Sequence, residues 1–574
     1  MISQFYRILE KKDKIGFIFI IILMAVGGIF ETLSIGILIP FISFLLDPTL
    51  LLEHKIVLEH FSFLTRIDNN ILIYYLLAII FTSFFLKTIY FLWFHYTKNK
   101  FIFKFTNNLT IKLFSSYIAK PYSLYLEDSS HNQLSTCVNE VNQFQQNIVI
   151  AGIEGLSEII IVFFLATLLF IVNPLASFMI VLIGLILFLL FYSLTKKKVQ
   201  EWGFIRQKNE ARMVEKVQQS YNGLKEILVY LKENFFISTF EKIVNETTSV
   251  NIKKQTLLDI PKTIIEIIAI IIFIVIVLII YFYNSSPGYF IPILGLYVAV
   301  SFKLMPALNR IVVSGQNFRN SKATLDKISA EMEIFNNNLK SIRDLKQNNI
   351  NKIKFSKSVK LKDISFRYPS KKINLFNNLN LEIKKGETIG IKGQSGEGKS
   401  TLINMMCGFI VPNKGEIIVD DIYDIKNNMR GWRSVLGYIP QQTYLFSGSL
   451  KENICFSKNS SVDDKSFNEA VDMAQLRDLI NSSPQKENTQ VGERGILLSG
   501  GQIQRISLAR CLYKNPEIMI LDEATSSLDS INEKKILESI SLLKGKKTII
   551  MVSHRDSSLS LCDRVLYLDK NKLL

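Results

Sequence analysis

Cysteine is scarce in this chain, with five residues in 574. Cys137, Cys407, Cys455, Cys511 and Cys562 are scattered, odd in number and without CxxC spacing, which excludes a disulfide framework and a zinc cluster. They read as ordinary thiols on cytosolic segments, where thiols stay reduced. No cleavable leader is expected from the first residues either. The first apolar block, 15–46, is too long for a signal h-region and ends without a small-residue cleavage site, so it reads as a span that stays. Negative charge is the third shortage: 50 acidic residues face 67 basic ones, for a net charge of +17. A basic excess points either to nucleic acid or to a membrane protein with basic inner loops. Long apolar runs are plentiful and crowd before residue 310, which selects the second reading and excludes nucleic acid as a partner.

Six blocks are long enough for a bilayer core that needs about 20 apolar residues: 15–46, 71–96, 149–172, 175–195, 262–284 and 288–308. Asn173-Pro174 and Asn284-Ser285-Ser286-Pro287-Gly288 make tight outer turns. The connections 97–148 and 196–261 are Lys-rich and helical in pattern. They are too long to be structureless, so the spans are expected to run on as cytosolic helices that turn near 121–129 and 221–231. Such turns would meet the C-terminal domain. Arg7, Lys11, Lys12 and Lys14 at the N-terminus and the basic long loops put the N-terminus and the C-terminal domain in the cytosol by the positive-inside rule. The outer segment 47–70 alternates apolar and polar residues, as an interfacial helix would. Residues 309–354 are polar, with Asn336-Asn337-Asn338 among them. The expected division is a six-span α-helical transmembrane domain over 1–320, a linker over 321–353 and an α/β P-loop NTPase domain over 354–574.

Gly393, Gln394, Ser395, Gly396, Glu397, Gly398, Lys399 and Ser400, followed by Thr401, match GxxxxGK[ST] between the apolar run 388–391 and a helical run. Glycines let backbone N–H groups close on phosphates, helped by the helix N-terminus. Lys399 would contact the β- and γ-phosphates of ATP, and Ser400 would hold Mg²⁺. The apolar strand 518–521 ends in Asp522, placed to hold Mg²⁺ through water, and Glu523, placed to polarise the attacking water.

Leu498-Ser499-Gly500-Gly501-Gln502 then opens a helix. With this run the cassette resembles the ATP-binding-cassette (ABC) family. The resemblance implies that Tyr368 stacks on adenine, that Gln441 is the Q-loop glutamine sensing Mg²⁺ and water, and that Asp529 belongs to the D-loop with Ser527 and Leu528. It also implies that His554 is the switch histidine at the γ-phosphate, and that 489–495 touches the coupling helices. In this family the P-loop of one cassette faces the signature motif of another. One cassette and one six-span domain therefore resemble a half-transporter of the type IV exporter fold, working as a homodimer with two competent ATP sites.

Ionisable residues inside spans are costly and default to functional hypotheses. Glu31, Lys87, Lys262, Glu266 and Lys303 stand out, with Arg310 just below. Lys87 and Lys303 lie roughly 23–26 Å from the outer interface at 1.5 Å per residue. In two copies Lys87, Lys262, Lys303 and Arg310 would supply eight positive charges, suited to a phosphate or pyrophosphate. The plain alternative is that such lysines snorkel, and that Lys262 and Glu266 neutralise one another at i,i+4.

The run 302–311, Phe30-Glu31-Thr32, Pro40-Phe41 and the outer segment resemble the flippases of lipid-linked oligosaccharides in bacterial protein glycosylation. That resemblance implies a bacterial inner-membrane protein moving a polyprenyl-pyrophosphate-linked glycan from inner to outer leaflet. Lys87, Lys262, Lys303 and Arg310 fall where the basic cavity residues would be; three are lysines, which are point charges and not bidentate forks. An exporter of another amphiphile, such as a lipid A-like lipid, drug or peptide, stays open, as does an ATP-gated membrane regulator.

Overall fold

The computed structural model describes residues 1–574 except 47, 49–67, 126–129, 173, 283–286, 338–349, 369–370, 372, 395, 458–462, 493–494, 496, 526–527, 570–571 and 574. The chain divides into two units, Met1–Lys120 with Asp128–Ile342, and Pro121–Glu127 with Arg343–Leu574.

The first unit is helical: α1 (Ile2–Ile8), α2 (Lys11–Gly36), α3 (Leu38–Leu46), α4 (Asn69–Ala119), α5 (130–172), α6 (Pro174–Asn222), α7 (Leu224–Val229), α8 (Glu233–Phe282), α9 (Pro287–Asn320) and α10 (Lys322–Asn337). Glu10 and Asp13 form a capping box that starts α2, and the Asp68 carboxylate accepts from the Asn70 N–H to start α4. Lys11–Leu46, Asn69–Ala119, Asn132–Val172 and Leu294–Asn320 are, among the described residues, long and apolar enough to cross a membrane. The expected span 175–195 lies on α6, and residues 262–282 of the expected span 262–284 lie on α8, with 283 and 284 outside the described residues. The expected outer helix over 47–70 falls almost wholly outside the described residues.

The membrane spans do run on as long helices: α4, α6 and α8 are 51, 49 and 50 residues long. Two π turns, Thr136–Glu140 and Gln145–Ile150, interrupt α5. Pro261 lies inside α8 and offers no N–H to the Leu257 carbonyl four residues back. The buried Gln316 of α9 reaches that oxygen through Nε2 at 3.5 Å.

The stretch expected as a linker contains α10, which packs into the first unit through Leu325, Ile328, Met332 and Phe335. Their spacing marks one apolar face on an otherwise polar helix. Thr324 at its start donates to the buried Glu140 carboxylate at 2.7 Å and accepts from Arg206 of α6.

The second unit carries two sheets. An antiparallel sheet has the order β2-β1-β4-β5, formed by β1 (Ser358–Phe366), β2 (Phe376–Lys384), β4 (Lys414–Val419) and β5 (Tyr423–Asp424). A six-stranded sheet has the order β10-β9-β3-β8-β7-β6, with β3 (Thr388–Gly393), β6 (Leu436–Ile439), β7 (Ile518–Asp522), β8 (Thr548–Val552), β9 (Arg564–Asp569) and β10 (Lys572–Leu573). All its pairings are parallel except β9 with β10. Near-continuous Ile, Leu, Met and Val in β7 and β8 suit strands buried on both faces. The core between the sheets takes in Ile353 and Phe355, so the domain's packing begins just ahead of β1. Asp420, at the end of β4, clamps this entry: its carboxylate accepts from the Ser356 hydroxyl and from the Ser356, Lys357 and Ser358 N–H groups. Burial alone would raise the Asp420 carboxyl, but those four donors outweigh it and hold the group below its ordinary value.

The turn expected near 121–129 is the short helix Tyr122–Tyr125, and Tyr122 packs its ring against Phe409 of the cassette with centroids 5.1 Å apart. The turn expected near 221–231 is built by α7, and Val229, Tyr230 and Leu231 are exposed there. All five cysteines are free thiols. Burial pushes Cys407 and Cys511 up to about 12, so both stay protonated.

Candidate functional site

The P-loop follows β3 and ends at α11 (Lys399–Met406). Gly396 and Gly398 have φ of +89° and +102°, and a Cβ at Gly398 would lie 2.8 Å from the Phe376 ring. Only glycine fits there without strain. Lys399 folds back on the loop, its Nζ donating to the Gly393 carbonyl at 2.6 Å and the Gln394 carbonyl at 2.8 Å. The Glu397 carboxylate accepts from the Gln394 N–H at 2.6 Å. Ser395 lies outside the described residues.

A pocket of about 700 Å³ opens over this loop. Gly396, Gly398, Lys399, Ser400 and Thr401 line one side, Tyr368 another, and Gln441, Glu523 and His554 close it. The volume suits a nucleotide. The Tyr368 hydroxyl and Thr401 Oγ1 are 2.9 Å apart, which ties the aromatic wall to the loop's helix. Glu523 follows β7 at φ +50°, with its N–H held by the Val552 carbonyl at 3.0 Å, so the chain turns there and aims the carboxylate at the pocket. Gln441 Nε2 donates to Glu523 Oε2 at 2.7 Å, and His554 Nε2 lies 3.7 Å from Oε1. Burial first, and then the charge of Glu523, raise the neighbouring Asp522 carboxyl, against the pull of Lys399.

Ser499, Gly500, Gly501, Gln502 and Asp529 do not line this pocket. Ser499 and Gln502 form a capping box at the start of α12 (Gly500–Tyr513), and Asp529 caps α13 (Ser530–Ser541) by accepting from the Asn532 N–H. Within one chain the P-loop and the run Ser499–Gln502 are therefore at separate places.

Sequence reasoning missed two sets of residues. Lys371, Ile373, Asn374 and Leu375 line the pocket from the loop after β1, and their one signal was proximity to Tyr368. Arg555, next to His554, pairs with the buried Glu533 of α13, which also accepts from Ser557 at 2.9 Å. That pair joins the turn that carries His554 to the helix that follows Asp529.

In the helical unit, a cavity of about 510 Å³ gathers Lys87 of α4 with Lys303 and Arg310 of α9. Lys98, His95, Glu31, Glu154 and Glu158 share it. Every one of these basic side chains except His95 has a carboxylate partner: Lys303 and Lys87 meet Glu31 at 2.8 and 3.4 Å, Arg310 meets Glu158 at 2.6 Å, and Lys98 meets Glu154 at 3.4 Å. Three of the four cations expected to act together, Lys87, Lys303 and Arg310, are therefore each met by a carboxylate. Desolvation makes lone charges in this setting too costly, and each span that brings a cation faces one that brings a carboxylate. Lys262 is exposed on α8 and does not line the cavity within one chain.

The family model described as "ABC transporter" matches residues 376–526. ABC transporter B family member 3 of Dictyostelium discoideum is 40% identical over 216 residues, 38% of this chain and 15% of that one. A putative export ATP-binding/permease protein of Rickettsia bellii is 38% identical over 214 residues, 37% of each chain. The heterocyst differentiation ATP-binding protein HepA of Nostoc is 27% identical over 468 residues, 81% of this chain and 74% of that one. The chain thus spans between 15% and 37% of the length of the first relatives it matches. Among solved structures, a bacterial Atm1-family ABC exporter with ATP bound superposes with a TM-score of 0.79 at 18% identity, covering 98% of this chain and 94% of that one. The fold is that exporter fold, and residues 376–526 match the ABC transporter family model.

Proposed function

We propose that two copies of this chain form an ATP-driven exporter of the bacterial inner membrane, with both cassettes in the cytosol. The observation that carries this reading is the gathering of Gln441, Glu523 and His554 beside Lys399 and Ser400 in one pocket, with Ser499–Gln502 and Asp529 outside it. A second copy would supply those residues to the other side of the nucleotide. Lys399 would leave the Gly393 and Gln394 carbonyls for the phosphates of ATP. Glu523, held by Gln441, polarises the attacking water, and His554 holds the γ-phosphate. Mg²⁺ held by Ser400, Gln441 and Asp522 would neutralise phosphate charge. Closure and reopening of the cassettes drive alternating access of the helical units.

For the cargo, the proposal is a polyprenyl-pyrophosphate-linked oligosaccharide moved from inner to outer leaflet. The grouping of Lys87, Lys303 and Arg310 in one cavity supports it. The same cavity's Glu31, Glu154 and Glu158 favour a second reading, export of an amphiphile with a cationic group. The names of several relatives, such as a putative multidrug export protein of Staphylococcus aureus, fit that reading. Reconstitution with a fluorescent polyprenyl-pyrophosphate glycan separates them. ATP-dependent flipping that falls in Lys87→Ala, Lys303→Ala and Arg310→Ala supports the first reading, and flipping unchanged in all three rejects it.

A further inference from the structure

Glu31 is 2% exposed, on α2, and both of its partners come from other helices. The two ammonium groups converge on a single oxygen, Oε1, Lys303 at 2.8 Å and Lys87 at 3.4 Å. Sharing one acceptor keeps the two nitrogens within about 6 Å of each other. Two cations that close repel, and their long stems would carry them apart if nothing held them. Exposure runs in the opposite order to burial of the anion: the Lys303 side chain is 37% exposed and that of Lys87 16%. The carboxylate is the recessed group, and the cations are the ones open to the cavity. An ammonium carries three donors; Lys87 gives one to Oε1, and Lys303 forms an ion pair with it. The remaining donors can reach two oxygens of one phosphate group.

We infer that Glu31 is a positioning residue, which pairs Lys87 and Lys303 for a single phosphate group of the cargo without touching that group itself. The inference rests on the anionic-lipid reading of the cavity. Its role differs from that of a brace between helices, because it sets the affinity for the anion and leaves the turnover of the loaded transporter in place.

The test is ATPase stimulation of the full chain in nanodiscs by a short-chain polyprenyl pyrophosphate, with the neutral polyprenol of equal length as control. The natural sequence responds to the pyrophosphate and not to the alcohol. Glu31→Gln keeps the shape and removes the charge; the half-maximal pyrophosphate concentration rises about tenfold, with maximal stimulated rate within about twofold. Glu31→Asp recovers at least half of that loss, which also shows that the site tolerates substitution. Lys303→Gln raises the half-maximal concentration too, and the Glu31→Gln/Lys303→Gln pair is no worse than Lys303→Gln alone. An unchanged half-maximal concentration in Glu31→Gln, a fall in maximal rate alone, or losses that multiply in the pair would each overturn the positioning role. Equal responses to the two lipids by the natural sequence would instead overturn the anionic-cargo reading beneath it.

Discussion

The two cavities hold their lysines in opposite ways. In the cassette, Lys399 is tethered by the neutral carbonyls of Gly393 and Gln394, with Asp522 acting on it through space and no ion pair to it among the described residues. In the helical unit, Lys87 and Lys303 already share the buried Glu31, and Arg310 is met by Glu158. Backbone dipoles explain the difference. Lys399 is buried, and the free carbonyls of the loop support its ammonium until nucleotide arrives. A cavity among membrane spans offers little such support, so each cation brings its own carboxylate. Charge at the first site can supply affinity outright; at the second, on the proposed anionic-cargo reading, recognition would come from how the paired cations are spaced.

That contrast orders the expected effects. Lys399→Ala removes an unpaired charge from the nucleotide site and should lower ATPase turnover by at least about 100-fold, read in a phosphate-release assay. A loss under about fivefold would break the contrast from the cassette side. Arg310→Ala removes a cation that is already paired, so the half-maximal concentration of polyprenyl pyrophosphate should rise only about tenfold. A loss as steep as that of Lys399→Ala would mean that the membrane cations act as free charges after all.

Asp420 sharpens the comparison, because it is a buried carboxylate satisfied by neutral donors in place of cations. Its folded-state carboxyl lies below the ordinary value, so its contribution is complete above the unfolded value and is lost as pH falls through the folded one. Asp420→Asn should cost about 1–3 kcal/mol at neutral pH and flatten the acid limb of cassette stability, followed by thermal melting between pH 3 and 7. An acid limb unchanged in the variant would remove Asp420 as its source. The smallest effect belongs to Gln316→Leu, which leaves the Leu257 carbonyl above Pro261 without its donor; a loss of about 1 kcal/mol in denaturant melts is expected. No loss would show that water already serves that carbonyl.

The cassette was legible because its chemistry is written in contiguous runs. GxxxxGK[ST] between a strand and a helix dictates Gly396, Gly398, Lys399 and Ser400 together, and the pocket is built on them. The membrane charges were legible one by one, since each is conspicuous in an apolar run. Their partners were not: Glu31 and Lys303 are joined only by the packing of α2 against α9, which no local pattern encodes. The helix α10 hid for a different reason. With only one apolar face its composition reads as polar, and the spacing of Leu325, Ile328, Met332 and Phe335 was the signal that distinguished a docked helix from a linker. The Arg555–Glu533 pair, like the membrane pairs, depends on a turn and a helix meeting in space.

The reading of the cassette as an ATP-hydrolysing engine stands or falls on Glu523, the carboxylate held by Gln441 and facing His554. The direct measurement is single-turnover hydrolysis alongside nucleotide binding in Glu523→Gln. ATP should bind with its affinity within about threefold of the natural sequence while hydrolysis falls by about 10²–10⁴-fold. Hydrolysis at the full rate in that variant would contradict the account.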